Sequence, residues 1–203
     1  MIQFNNISKT IKNNTVLKDI NISLEENDYI LLKGHNGCGK TMLLRMICGL
    51  ISPSEGEIKR DREYSYGVII ETPSFISNES ALYNLKYLAS INKKINDSDI
   101  ERYLRAFNLY EYRNKKVKSF SLGMKQRLAI IQAVMEHPDI ILLDEPFNAI
   151  DNENLTIVYD YLNDYHSNGK LIIIASHGDP SGKCKFNRII TMKEGEIVAD
   201  CRI

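Results

Sequence analysis

Neither sign of charge predominates in this chain: 26 lysines and arginines are matched by 26 aspartates and glutamates. A balanced surface has no global field to gather nucleic acid or anionic lipid, so nucleic acid is not an expected partner. Short basic stretches such as Lys115-Lys116-Val117-Lys118 are read as solvated surface. Long apolar runs are missing too. The longest, such as 140–143 and 171–175, are strand-sized and far below the roughly 18 residues that a spanning helix needs. The opening Met1-Ile2-Gln3-Phe4-Asn5-Asn6 has neither a basic leader nor an apolar h-region, which predicts a chain that stays in the cytoplasm. Cysteine is sparse. Cys38, Cys48, Cys184 and Cys201 show no CxxC or other metal-ligand spacing, and in that compartment they read as reduced thiols used as small hydrophobes.

What is present suits a globular protein. With 203 residues, 43% hydrophobic and 26% charged, the chain fits one domain with room for an inserted subdomain. A chain of this length buries roughly 70% of its unfolded surface and needs no staples. Residues 2–4 and 17–24 read as strands, with Asn13-Asn14 as the turn between them. Tyr29-Ile30-Leu31-Leu32 reads as a buried strand running into a glycine-rich loop. Residues 41–48 carry apolar positions at helical spacing, and Gly49 suits the end of that helix.

A further β segment falls at 66–70, after which the chain turns helical from about 81 to 135. Helices are expected over 81–90, from Ser98 with Glu101 completing a capping box, and over 123–135, stopping before Pro138. Strands return at 140–143, 171–175 and 188–192, with a helix over 152–165 between the first two. Strands separated by helices imply a mainly parallel sheet, an α/β fold. No repeat, low-complexity tract or long linker interrupts the pattern. The helical block reads as an insertion, 72–137, into a core made of 1–71 and 138–203.

Gly34-His35-Asn36-Gly37-Cys38-Gly39-Lys40-Thr41 matches G-x-x-x-x-G-K-[ST] between a strand and a helix. At a glycine frequency of about 7%, chance yields the pattern in roughly one chain in a hundred, and the strand–loop–helix setting makes it rarer. Glycines let backbone N–H groups converge on phosphate oxygens, and the helix adds its positive end. Lys40 is placed to reach the β- and γ-phosphates of a nucleotide, and the Thr41 hydroxyl to bind Mg²⁺. Farther on, Ile140-Ile141-Leu142-Leu143-Asp144-Glu145-Pro146 ends an apolar strand on two carboxylates. Alone, such a pair is equally explained by solvation of a strand end. Beside a phosphate loop, Asp144 suits hydrated Mg²⁺ and Glu145 suits accepting a proton from an attacking water. His177 ends the apolar run 171–175 in the same way, at the sheet edge where ligands gather. There it would hydrogen-bond the γ-phosphate and the attacking water.

These pieces, in this order, resemble the ATP-binding domain of ABC transporters over essentially the whole chain. The decisive segment is Phe120-Ser121-Leu122-Gly123-Met124-Lys125-Gln126-Arg127, which is similar to the family's L-S-G-G-Q-x-Q-R. Physically it is a serine and a glycine at a helix start, a second anion site. The resemblance implies a P-loop NTPase core with an N-terminal antiparallel β subdomain and an inserted helical subdomain. It implies ATP and Mg²⁺ as cofactors, and a second ATPase subunit, of the same or a different chain, whose γ-phosphate Ser121 and Gly123 would grip. Asn148-Ala149-Ile150-Asp151 resembles the family's dimer-contacting loop.

Three departures stand out. Glu71 occupies the place of the family's glutamine, where its carboxylate would still reach Mg²⁺. Leu122 and Met124 replace glycine and glutamine. Ile11 stands where an aromatic normally stacks on adenine, which implies apolar contact only and loose base recognition. Ile-Glu-Thr-Pro at 70–73 together with 121–127 resembles ATPases of bacterial exporters for peptide antibiotics and lantibiotics. The implied partner is a separately encoded membrane permease, which would hold the chain at the inner face of the cell membrane. A soluble ABC ATPase working on DNA ends or ribosomes would usually carry coiled-coil insertions or tandem units. A degenerate ATP-holding module would not be expected to keep Lys40, Asp144, Glu145 and His177 together.

Overall fold

The computed structural model describes residues 1–71, 73–178 and 180–203. Residue 72, the expected start of the insertion, lies outside them. Two sheets form the α/β frame. A three-stranded antiparallel sheet has the order β2-β1-β4, from β1 (Ile2–Ile11), β2 (Asn14–Leu24) and β4 (Glu55–Arg60). A six-stranded sheet has the order β5-β6-β7-β3-β8-β9, from β3 (Tyr29–Lys33), β5 (Tyr66–Ile69), β6 (Ile140–Asp144), β7 (Leu171–Ser176), β8 (Arg188–Lys193) and β9 (Glu196–Arg202). Its first five strands are parallel and β9 runs antiparallel to β8.

The apolar runs of β3, β6 and β7 lack alternation because both faces of the central strands are covered. Leu31, Leu143 and Ile174 point into a core shared with helices α2 (Ala81–Asn92), α3 (Asp97–Ala106), α4 (Leu122–Val134) and α5 (Asn152–Ser167). Ile30, Leu32, Leu142 and Ile173 point the other way, against α1 (Lys40–Ile47) and the antiparallel sheet. The two cores therefore sit on opposite faces of one parallel sheet. Among the described residues no helix is long and apolar enough to cross a membrane.

Two local readings need correction. The first turn lies at Lys12-Asn13, not Asn13-Asn14: both have positive φ (46° and 65°), and Ile11 pairs with Asn14 across it. Positive φ at two successive residues is the geometry of a tight hairpin turn matched to strand twist. The capping box of α3 belongs to Asn96 and Asp99 instead of Ser98 and Glu101. The Asp99 N–H donates to Asn96 Oδ1 at 3.1 Å, and the Asn96 N–H donates to Asp99 Oδ2 at 3.1 Å. Starting there puts Asp97 and Asp99 in the first turn, where the helix dipole favours them. The Ser98 hydroxyl donates to Asn96 Oδ1.

α4 bears directly on the core. A Cβ on Gly67 of β5 would lie 1.8 Å from the Ala133 carbonyl oxygen near the helix's end. At its start, a Cβ on Gly123 would lie 2.4 Å from the Ala149 carbonyl oxygen. Both glycines permit backbone to touch backbone.

Candidate nucleotide site

Parallel strands deliver their following loops to one edge of the sheet. Here β3 leads into residues 34–39, β5 to Glu71, β6 to Glu145 and β7 to His177. A cleft of about 820 Å³ opens there, lined by Gly37, Lys40, Thr41, Glu71, Asp144 and Glu145 among others.

The phosphate loop is built to receive an anion. α1 begins after Gly39 (φ 110°) with no side-chain cap and no acidic residue in its first turn. Its first N–H groups are left to an outside acceptor, and its dipole favours a negative one. Lys40 is buried, with its ammonium donating to the Gly34 carbonyl at 2.6 Å and the His35 carbonyl at 3.3 Å. The loop is thus wrapped around a cation at an uncapped helix start, which fits a polyphosphate. Asn36 and Gly37 line the cleft, Cys38 is buried beneath the loop, and Gly34, His35, Asn36 and His177 border a second opening.

The metal-binding candidates divide. The Thr41 hydroxyl donates to Asp144 Oδ2 at 2.5 Å. Burial pushes the Asp144 carboxyl above the usual carboxylate range, against the lowering effect of the Thr41 hydrogen bond. A divalent cation there would offset that desolvation. Glu71, by contrast, is engaged by Arg45, whose Nη2 donates to Glu71 Oε1 at 2.5 Å. Among the described residues no three His, Cys, Asp or Glu side chains form a ready-made cage. The paired oxygens of Thr41 and Asp144 suit Mg²⁺, which is held by one or two protein oxygens plus substrate phosphates and water.

Glu145 and His177 meet. Glu145 has φ 47° and its N–H donates to the Ala175 carbonyl at 2.9 Å, which fixes the turn at the strand end. Glu145 Oε1 accepts the His177 N–H at 2.9 Å and lies 2.8 Å from His177 Nδ1. Both contacts fall on one carboxylate oxygen. A carboxylate so anchored at the rim of a phosphate cleft can accept a proton from water.

Ser121 caps α4, accepting from the Met124 N–H at 3.2 Å. Asp151 caps α5, accepting from the Asn154 N–H at 3.1 Å, and this hydrogen bonding holds its carboxyl below the usual range. Asn154 Oδ1 in turn accepts from Arg127 Nη1 at 2.7 Å. The helix carrying Ser121 and the loop after Glu145 are therefore one hydrogen-bonded unit. Sequence reading found Arg127 only as the end of the 120–127 segment and missed Asn154; their pairing is invisible until α4 and α5 are packed.

Ile11 ends β1, 36% exposed, and is not among the residues lining the cleft. Asn14, Thr15, Val16 and Lys18 of β2 line it on that side together with Glu194 and Gly195, whose carbonyl accepts the Lys18 N–H at 2.8 Å.

Gly123→Ala tests the close contact with Ala149. Overpacking of this kind costs about 1–3 kcal/mol. The melting temperature of the isolated chain should fall by several degrees. An unchanged melting curve would mean that α4 and residue 149 are not in backbone contact.

With this geometry in view, residues 17–148 match the ABC transporter family, and the chain belongs to that family. An uncharacterized ABC transporter ATP-binding protein of Bacillus subtilis (strain 168), YybJ, is 44% identical over 186 residues, covering 87% of this chain and 85% of the relative. The bacitracin transport ATP-binding protein BcrA of Enterococcus faecalis is 33% identical over 214 residues, covering 100% of this chain and 70% of the relative. Among solved structures, the dimeric post-hydrolysis state of the ATP-binding cassette MJ0796, bound to ADP and Pi, superposes with a TM-score of 0.90 at 26% identity. It covers 100% of this chain and 98% of that one. The chain is an ATP-hydrolysing cassette that uses ATP and Mg²⁺.

Proposed function

We infer that this cassette drives export of peptide antibiotics through a separate membrane-spanning partner, closing as a dimer on ATP. The observation that carries the reading is the convergence of Lys40, the Thr41–Asp144 pair and Glu145, which is braced from outside by His177, on one cleft. The relation to BcrA supports the substrate class. In this reading the phosphate loop and Lys40 hold the ATP phosphates, and Thr41, Asp144 and Glu71 serve Mg²⁺. Mg²⁺ neutralises charge developing on the phosphates when it is bound. Glu145 takes the proton from the attacking water, and His177 orients Glu145 and contacts the γ-phosphate. Ser121 and Gly123 face the nucleotide of a second subunit across the interface, with residues 148–151 beside them. Ile11, at the end of β1 and outside the cleft lining, gives the base no stacking partner, and the membrane partner holds the cassette at the inner face of the membrane.

The test is a strain lacking this chain. It should become more sensitive to bacitracin-like cyclic peptides and lantibiotics. Plasmid-borne wild type should restore resistance and return the cassette to the membrane fraction, whereas Lys40→Ala should fail to restore resistance. Unchanged sensitivity to every such peptide, with the cassette still in the membrane fraction, would remove the substrate class and leave the transport role.

A further inference from the structure

Thr41 and Arg45 are four residues apart on α1, so they lie on one face of the helix, one turn from each other. Thr41 holds Asp144 and Arg45 holds Glu71, each through a contact of 2.5 Å. Both carboxylates line the same cleft as the phosphate loop. Glu71 sits just past the end of β5 at φ 65°, a backbone region that non-glycine residues rarely occupy. Its side chain is 64% exposed and that of Arg45 is 30% exposed, so the pair is not locked in the core. A guanidinium and a divalent cation compete for one carboxylate, and the cation carries twice the charge.

We propose that Arg45 is a positioning residue for the metal site. It holds Glu71 while the cleft is without metal and yields it to Mg²⁺ when Mg²⁺ enters with ATP. The strength of the Arg45–Glu71 pair thereby sets how much Mg²⁺ improves nucleotide binding. This rests on the reading of Glu71 as a Mg²⁺ ligand. An asparagine or aliphatic residue at position 45 would leave Glu71 free to serve the cation from the start. A glutamine at position 71 would give Arg45 no charge to hold.

The experiment measures binding, not turnover. Calorimetry gives the affinity for a non-hydrolysable ATP analogue in excess EDTA and in excess Mg²⁺, and the ratio of the two affinities is the coupling between metal and nucleotide. Arg45→Met should raise that ratio about two- to fivefold, the range expected from removing a partly exposed ion pair. Glu71→Gln should lower it. Arg45→Met added to Glu71→Gln should change nothing further. Arg45→Lys, which keeps the charge but loses the planar fork, should give a smaller rise and carries the test if Arg45→Met folds poorly.

An Arg45→Met effect of equal size in both backgrounds would overturn the proposal, because Arg45 would then act without Glu71. A ratio lowered by Glu71→Gln but unmoved by Arg45→Met and Arg45→Lys would overturn it too, while leaving Glu71 as a ligand. A ratio unmoved by Glu71→Gln would remove the ligand reading and the proposal together.

Discussion

Glu145→Gln should slow ATP hydrolysis by about 10²–10⁴, the usual worth of a general base. The change keeps the shape of the side chain and an oxygen to accept the His177 N–H, which now meets Glu145 Oε1 at 2.9 Å. It removes only the capacity to take a proton. ATP affinity should survive, since Lys40, Thr41 and Asp144 are untouched. With ATP persisting in the cleft, the variant should accumulate as an ATP-dependent dimer in size-exclusion chromatography, while the wild type runs largely as a monomer. Ser121→Arg added to the same chain should abolish that dimer by placing bulk and charge at the start of α4. Normal hydrolysis by Glu145→Gln would remove the general-base role. A variant that stays monomeric in Mg–ATP, with any obligate different subunit supplied, would remove the shared site.

Lys40→Ala should abolish measurable turnover and weaken ATP binding. A charge-assisted hydrogen bond contributes about 1.5–3 kcal/mol, or roughly ten- to a hundredfold in affinity. The ammonium is also what the carbonyls of Gly34 and His35 bond to, so the loop loses its internal brace as well as its charge. Turnover and calorimetric affinity should fall together. Near-normal hydrolysis would sink the assignment of the phosphate loop.

The parts of this site that are local in sequence could be read before the fold was known. The phosphate loop is eight consecutive residues, and Asp144-Glu145 ends a run whose burial is plain from its composition. The central strands were legible because both faces are buried, which leaves uninterrupted Ile and Leu. The edge strands were not. In β4 only Ile58 is even partly buried, and β9 exposes all but Ile197, so neither carries an apolar signature. Each exists because a neighbouring strand offers a ladder: β1 for β4, β8 for β9. The cap at Asn96 was missed because Ser98 and Asn96 both have an acidic residue three positions on, and only tertiary placement chooses between them. The Arg45–Glu71 pair spans 26 positions and two elements, so no local pattern announces it.

α4 touches the core through bare backbone at both ends, Gly123 on Ala149 and Gly67 on Ala133. Such a contact resists compression steeply. Pressure on the Ser121 end is passed to the segment beside Glu145, because atoms already in contact cannot approach further. A pull on the same end meets the Arg127 hydrogen bonds to Asn154 Oδ1 and to the Phe107 carbonyl (2.7 and 2.6 Å), together with the buried side chains of α4. In the proposed dimer, a neighbouring subunit that pushes on Ser121 would be felt through Ala149 in the segment that follows Glu145.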